Sequence, residues 1–326
     1  MPLETFAARL IAETLGSGSL NEYPEAPRHD QLLRRALRRR RVTLRPVGES
    51  SQVFVFGGVV VGGMDSVVTT LVSAHARRIT ADAQLLRRHL EIQELPLPAE
   101  DAAAARRAPG EASGPSRVRA FVVGDRVCCS LLRVPATVLG DGRSTLAQLI
   151  LHDAGVRSRH ALLADSAVPG PVHAPTGTDV PAGTDVSTSR GVSTSTGAST
   201  STDVATSTVQ SRLRDRGFDP EQVPAEGSLM QLQDSAELAS GGLTIDVTGM
   251  LPDALHELAA EAVMAVPGLY AAAVDLLVPD LESAEDALVL TVLPDADIRP
   301  AHMPAYGESR DVAGAIADEI LLRASR

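Results

Sequence analysis

Residues 117 to 150 read RVRAFVVGDRVCCSLLRVPATVLGDGRSTLAQLI. Two runs rich in β-branched residues flank Gly124-Asp125, a residue pair that favours a tight hairpin turn. A second turn sequence, Gly140-Asp141-Gly142, follows, and Ser144 then provides a hydroxyl that suits the N-cap of a helix. This stretch therefore predicts two antiparallel strands followed by a short helix.

The flanking sequence continues the mixture of strands and helices. Helical spacing of apolar residues predicts helices at 2–15, 31–40, 66–90, 253–265 and 310–323. Short apolar or β-branched runs predict strands within 42–63 and at 228–233, 244–248, 271–278 and 287–293. Because hairpins interrupt the alternation of strands and helices, the predicted fold class is α+β rather than a regular parallel sheet.

Two segments have a different composition. Residues 99–116 are rich in Ala, Gly and Pro and are predicted to be a linker. Residues 169–210 are of low complexity, and 14 of the 22 residues from 187 to 208 are Ser or Thr. Such a sequence buries too little apolar surface to offset the entropy lost on ordering, so it predicts a disordered insert.

The overall composition bounds the class of protein. With 326 residues and 44% apolar residues, the chain can bury a sizeable core. Aromatic residues make up 2% and the net charge is −11, so we expect no nucleic-acid partner. The sequence has neither a run of about 20 apolar residues nor a signal peptide, which predicts no membrane association and a cytoplasmic location.

All 30 basic residues are arginine, and lysine does not occur in the chain. Residues 1–45 contain nine of the arginines against five acidic residues. This local excess of positive charge has two interpretations. The segment 31–45 either forms a solvated helix face that turns Leu32, Leu33 and Leu37 inward, or it binds an acidic partner or nucleic acid.

Four stretches, 76–98, 117–150, 217–248 and 274–321, together resemble the ATP-grasp ligases. The similarity is to the branch that contains cyanophycin synthetase and the bifunctional glutathione synthetases. The resemblance implies an ATP-grasp-like fold, with an N-terminal α/β lead-in over 1–98 and a C-terminal ATP-grasp-like domain over 117–326. It also implies a reaction in which ATP phosphorylates a carboxylate and an amine attacks the acyl phosphate.

The chain departs from the family where ATP would bind. The family's Asp-Lys pair is Asp82-Ala83 here, so its lysine is lost. The linker 99–116 stands where the family has a lysine-bearing strand, a glycine-rich phosphate loop and the adenine-binding hinge. The resemblance therefore implies that the nucleotide-lid subdomain is truncated. A glycine turn survives as ELASGG at 237–242, where the family has Asn-Leu-Ser-Thr-Gly-Gly.

The expected magnesium site is also altered. Asp275 matches the family's first metal-binding acid, but Thr291 and Leu293 occupy the Glu and Asn positions of its Glu-x-Asn motif. Leucine has no oxygen ligand to offer, and one carboxylate holds magnesium poorly. Asp275 is therefore the remaining candidate metal ligand, or simply an acid near the end of a strand.

Three arginines match family positions near phosphate and substrate: Arg119, Arg133 and Arg299. The resemblance implies that they line an anion-binding cleft, whereas the simpler interpretation pairs Arg119 and Arg133 with acidic residues.

The sequence favours a degenerate ATP-grasp protein that acts as a non-catalytic binding or regulatory partner. The expected partners are an intact ATP-grasp enzyme or a second copy of the chain, and the expected ligand is a small anionic amino acid or peptide. In this interpretation no cofactor is required. The alternative is a divergent carboxylate-amine ligase that still uses ATP and magnesium, with arginines in place of the lysines.

Overall fold

The computed structural model describes residues 5–99, 114–164 and 201–325. The helices are α1 (Phe6–Gly16), α2 (His29–Arg39), α3 (Ala74–Ala81), α4 (Ala83–Ile92), α5 (Leu146–Arg157), α6 (Ser201–Asp215), α7 (Asp253–Met264), α8 (Arg299–His302) and α9 (Val312–Ala324). The strands are β1 (Thr43–Pro46), β2 (Ser51–Phe56), β3 (Val59–Asp65), β4 (Val68–Thr69), β5 (Ser116–Val123), β6 (Arg126–Val134), β7 (Thr137–Leu139), β8 (Leu229–Gln231), β9 (Leu243–Asp246), β10 (Ala271–Val278) and β11 (Leu288–Leu293).

A five-stranded antiparallel sheet, ordered β11-β10-β5-β6-β9, forms the centre of the fold. The predicted β5–β6 hairpin supplies two of its middle strands, and Gly124 turns the chain with a φ of +67°. The same glycine donates its N–H to the carbonyl of Tyr270 at 2.8 Å, which joins the hairpin turn to the start of β10. A four-stranded sheet, β1-β2-β3-β4, and the β7-β8 pair complete the β structure of the described residues.

One face of the central sheet packs against α7. Val118, Ala120 and Val122 alternate along β5 and are buried in the same cluster as Ala259 and Val263 of α7. Small residues on α7 allow its backbone to lie close to the sheet, which compensates for a core that has few aromatic side chains. This layer also contains residues of α1, α3 and α4.

The opposite face packs against α2 and α9 at one end. Phe121 and Leu131 are buried there with Leu33 and Leu37 of α2 and with Ile316 of α9. The inward orientation expected for the apolar side of α2 is therefore present. The exposed side of the same helix carries Arg35, Arg38 and Arg39, so the positive patch predicted from the sequence is also solvent-accessible.

Residues before and after the predicted linker contribute to the same two cores. The domain limits at 98 and 117 stay a prediction, since residues 100–113 lie outside the described ranges. The insert predicted at 169–210 lies mostly in 165–200, also outside those ranges. The last ten residues of the predicted insert, 201–210, form the first part of α6. Later in the same helix, Leu213 is fully buried and packs with α5.

Two helix boundaries differ from the sequence-based prediction. The N-cap of α5 is Thr145 rather than Ser144: its hydroxyl accepts from the N–H of Gln148 at 3.3 Å, and the Gln148 side chain accepts from the N–H of Thr145 at 2.9 Å. Ser144 instead donates to Asp141 at 2.7 Å and stabilises the preceding turn. The helix predicted at 66–90 is wrong in its first turns, which contain the strand β4, and only residues from Ala74 onward are helical. The rest is two helices, because Asp82 ends α3 and caps α4 by accepting from two backbone N–H groups at 3.0 Å.

None of the helices in the described ranges has the length and the hydropathy needed to cross a membrane.

The capping box gives a direct test of the α5 boundary. We expect Thr145→Ala to lower the free energy of unfolding by about 1 kcal/mol, because the hydroxyl that accepts from the backbone N–H of Gln148 is lost and a helix N-terminal donor loses its cap. Ser144→Ala is the matched control and should cost clearly less, since the Ser144 hydroxyl bonds to the Asp141 side chain and caps no backbone N–H of the helix. Urea unfolding followed by circular dichroism measures both, and a larger loss for Ser144→Ala would show that the helix begins one residue earlier.

Candidate functional site

The residues that the sequence singled out meet on one face of the central sheet. Asp275 of β10 lies directly opposite Arg119 of β5 and opposite Thr291 of β11. Directly paired residues of antiparallel strands project from the same face. That face also carries Phe121 and Ala273, which are buried in the layer beneath α2 and α9. The predicted site therefore lies beside this core.

A bidentate ion pair joins Arg119 to Asp275. The guanidinium Nε lies 2.6 Å from Oδ1, and Nη2 lies 2.7 Å from Oδ2. The side chains are only 17% and 14% exposed. Burial acts against the charged guanidinium, but the hydrogen bonds and charge of Asp275 outweigh it, so the pKa of Arg119 is raised. Both oxygens of the candidate metal ligand are thus engaged by an arginine of the same chain.

Arg133 connects this pair to the glycine turn. Its Nη1 lies 3.4 Å from Oδ2 of Asp275, and its Nη2 donates to Oε1 of Glu237 at 2.6 Å. Arg133 is 9% exposed, whereas Glu237 is 65% exposed. We call Arg119, Arg133, Asp275 and Glu237 the ion cluster. Its two positive and two negative groups sum to zero formal charge, so the arginines expected to face an anion are neutralised by carboxylates of the chain.

Arg299, the third predicted arginine, pairs with its own neighbour. Its Nε donates to Asp297 at 2.7 Å, and both side chains are about one-third exposed. The hydrogen bond to Asp297 raises the pKa of Arg299. The charge of Asp297 also contributes to the raised pKa of Arg119, so the two sites are electrostatically connected although Arg299 bonds to no member of the ion cluster.

Magnesium does not fit the residues present. The ion requires a nearly octahedral set of oxygen ligands, and both oxygens of Asp275 accept from Arg119. Thr291 offers one hydroxyl in the same row, and Leu293 offers no oxygen ligand from its side chain. Among the described residues, no group of three or more His, Cys, Asp or Glu side chains is arranged to hold a metal ion.

A buried arginine positions the glycine turn and was not singled out from the sequence. Arg157 of α5 is 2% exposed; its Nη1 donates to the carbonyl of Gly241 at 2.6 Å and its Nε donates to Asp153 at 2.6 Å. Gly241 has a φ of +84°, and a side chain at Gly242 would meet the Ala236 carbonyl at 2.5 Å. Arg157 therefore fixes the turn that begins at Glu237.

A second ion pair, between Asp246 and Arg310, was also not predicted from the sequence. Asp246, at the end of β9, has a side chain that is 4% exposed and accepts from Arg310 at 2.7 and 3.0 Å. The hydrogen bond from Arg310 to Asp246 raises the pKa of the arginine. Arg310 also lies 3.1 Å from the exposed Glu308. Arg310 therefore contacts one buried aspartate and one exposed glutamate. Arg133 has the same two kinds of partner in Asp275 and Glu237.

Comparisons with known proteins show which proteins the chain resembles. The chain is 28% identical over 197 residues to the glutathione biosynthesis bifunctional protein of Mannheimia succiniciproducens. This match covers 59% of this chain and 22% of that protein. It is 26% identical over 206 residues to the cyanophycin synthetase of Trichormus variabilis, covering 61% of this chain and 19% of that protein. The chain thus spans about one-fifth of the length of these relatives. No protein-family model matches the chain.

The fold matches the crystal structure of a bifunctional glutathione synthetase from Pasteurella multocida. The TM-score is 0.63 at 18% identity, and the match covers 90% of this chain and 43% of that chain. The resemblance to the ATP-grasp branch with glutathione and cyanophycin synthetases is confirmed, as is the ATP-grasp-like α+β fold.

The Arg119–Asp275 pair leads to a stability prediction. We expect Asp275→Asn to lower the free energy of unfolding by about 3 kcal/mol, because it leaves a largely buried guanidinium without its counter-charge. Asp297→Asn removes the same charge from a more exposed pair and should cost less than about 1 kcal/mol. Chemical denaturation measures both. A stabilising Asp275→Asn would instead identify an acid held without a partner, as in a metal site.

Proposed function

We propose that this chain is a non-catalytic relative of the ATP-grasp ligases that binds a ligand or a partner and does not form an amide bond. The bidentate ion pair between Arg119 and Asp275 is the observation that carries this proposal. Both oxygens of Asp275, the residue that the ATP-grasp resemblance matches to a metal-binding acid, are engaged in this pair.

The electrostatics of the site support the same proposal. The triphosphate of ATP carries several negative charges, which ATP-dependent enzymes neutralise with cations and magnesium. The chain has no lysine, and Arg119, Arg133 and Arg299 each have a carboxylate partner. Binding ATP here would require several of these pairs to break, and each partly buried carboxylate left behind costs desolvation energy.

The proposed role is that of a binding or regulatory partner in the cytoplasm. The two cores of the central sheet are well packed, so the scaffold can present a surface without the chemistry that its relatives perform. We propose an intact ATP-grasp enzyme or a second copy of the chain as the partner. For the ligand we propose a small anionic amino acid or peptide, which would compete with an exposed carboxylate such as Glu237.

The second candidate is a divergent ATP-dependent ligase, and the relatives favour it. Their names describe glutathione biosynthesis and cyanophycin synthesis. In this candidate the arginines replace lysines at the phosphates, since guanidinium binds phosphate oxygens well. ATP and magnesium would then be required, and Asp275 would have to leave Arg119 to reach the metal.

Calorimetry separates the two candidates. We expect no heat of binding when the chain is titrated with ATP in the presence of magnesium, because neither a metal site nor a net positive phosphate site is formed. The bifunctional glutathione synthetase of Pasteurella multocida, measured in the same way, is the positive control. Micromolar affinity that disappears when magnesium is chelated would refute the non-catalytic proposal and favour the ligase.

A further inference from the structure

Four exposed arginines at the C-terminal end of α2 have no acidic partner. Arg35, Arg38 and Arg39 lie within little more than one turn of the helix, and Arg41 follows the last turn. None of the four forms an ion pair with a carboxylate of the described residues, whereas the intervening Arg40 pairs with an aspartate of α9. We call Arg35, Arg38, Arg39 and Arg41 the arginine cluster.

Arg41 adopts a backbone conformation that disfavours a side chain. Its φ is +62°, the left-handed conformation in which glycine usually follows the end of a helix. The N–H of Arg41 donates to the carbonyl of Arg38 at 2.9 Å, and the N–H of Val42 donates to the carbonyl of Leu37 at 3.1 Å, as in a helix that glycine ends. This strain is explained if the guanidinium makes a contact outside its own molecule.

The loop between β10 and β11 carries the opposite charge. Asp280, Glu282, Glu285 and Asp286 are all exposed. In the part of the chain that the structure describes, none of these carboxylates forms an ion pair with a basic side chain. Leu281 is 1% exposed and anchors the loop in the core, so the acidic residues are held on a fixed backbone. We call these four residues the acidic loop.

The two clusters do not neutralise each other within one molecule. Leu33 and Leu37 pack α2 on one face of the central sheet, whereas Leu281 is buried with the core on the opposite face. Along β10, Ala273 beside α2 lies five residues before Val278, where the strand ends, a separation of about 17 Å. Each cluster is therefore left to pair with a different molecule.

We infer that copies of this chain associate head to tail, with the arginine cluster of one copy docked on the acidic loop of the next. Four positive groups meet four negative groups in this contact. Because the two surfaces lie on opposite faces, the contact is heterologous, and a dimer keeps one free surface of each sign to which further copies can bind. The inference rests on the part of the proposed function that makes a second copy the partner, and it names the two surfaces.

The contact charges outweigh the repulsion between two acidic chains at moderate salt. The net charge of −11 acts over the whole molecule, and at about 0.1 M salt its field is screened beyond roughly 10 Å. Oppositely charged groups in direct contact lie well within that distance. At about 1 M salt the screening length is roughly 3 Å, so the contact pairs weaken as well. The association should therefore form at moderate salt and dissociate at high salt.

Sedimentation velocity of the full chain tests the association. At about 0.1 M NaCl the average mass should rise with protein concentration beyond that of a dimer, and at about 1 M NaCl it should fall to that of the monomer. A chain that stays monomeric at the lower salt up to millimolar concentration would overturn the inference, as would an oligomer that high salt leaves intact. A monomeric chain whose arginine cluster retains a single-stranded oligonucleotide would assign α2 to nucleic acid instead.

Two neutralised variants identify the surfaces. One carries Arg35→Gln, Arg38→Gln and Arg39→Gln, and the other carries Glu285→Gln and Asp286→Asn. Each alone should associate roughly tenfold more weakly than the parent, since two or three exposed ion pairs are lost at once. Their equimolar mixture keeps one intact arginine cluster and one intact acidic loop, so it should form a dimer that grows no further. Undiminished association of either variant, or a mixture that does not pair, would overturn the inference.

Arg41→Gly separates docking from folding. Glycine relieves the strained φ, so the variant should have a higher urea midpoint than the parent at high salt, where both are monomeric. The same change removes one guanidinium and should weaken the association about two- to fivefold. Arg126→Gln, at an exposed arginine beside the β5–β6 turn, is the matched control and should leave the association unchanged. Association of Arg41→Gly as tight as that of the parent would contradict the assigned surface.

The same samples are titrated with ATP and magnesium. A chain that neither associates nor binds ATP would remove only this inference. Magnesium-dependent binding of ATP would instead remove the proposed function, whatever the sedimentation result.

Discussion

The ion pair between Arg119 and Asp275 is the interaction on which the candidate site depends. It crosses from β5 to β10 in the middle of the central sheet, where both side chains are largely shielded from water. A carboxylate in this setting needs a counter-charge, which either a metal ion or a cation of the chain can supply. Here the chain supplies a guanidinium. Arg133 reinforces the pair and extends it to Glu237, so the four side chains form a network without net formal charge.

Small side chains shape the surroundings of that network. The protein has few aromatic residues, and alanines on α7 and β10 bring a helix close to one face of the sheet while leaving space on the other. A core of this kind is built from many modest contacts, and it is complete on the α7 side. On the opposite side, the charged pair Arg119 and Asp275 lies about 7 Å from the apolar pair Phe121 and Ala273.

Much of the fold could be predicted from the sequence. The β5–β6 hairpin follows from the Gly124-Asp125 turn, and the strand β10 follows from its run of apolar residues. The resemblance grouped Asp275, Arg119 and Arg133 as candidate site residues, and the structure places both guanidinium groups beside the Asp275 carboxylate. Their role in binding a metal or an anion stays a prediction. The resemblance did not predict that Glu237 pairs with Arg133 or that Arg157 holds the glycine turn at Gly241, since both contacts join distant parts of the chain. The Ser/Thr-rich composition around Ser201 predicted disorder where α6 begins. The buried residue of this helix, Leu213, lies after the Ser/Thr-rich segment.

We propose that Arg119 holds Asp275 and keeps this carboxylate from binding a metal ion. A double-mutant cycle with Arg119→Met, Asp275→Asn and the double variant measures this most directly by denaturant unfolding. The two residues should couple by about 2 kcal/mol, and millimolar magnesium chloride should leave the stability of the parent chain unchanged. Coupling near zero, together with a rise in stability on addition of magnesium, would show instead that Asp275 belongs to a metal site.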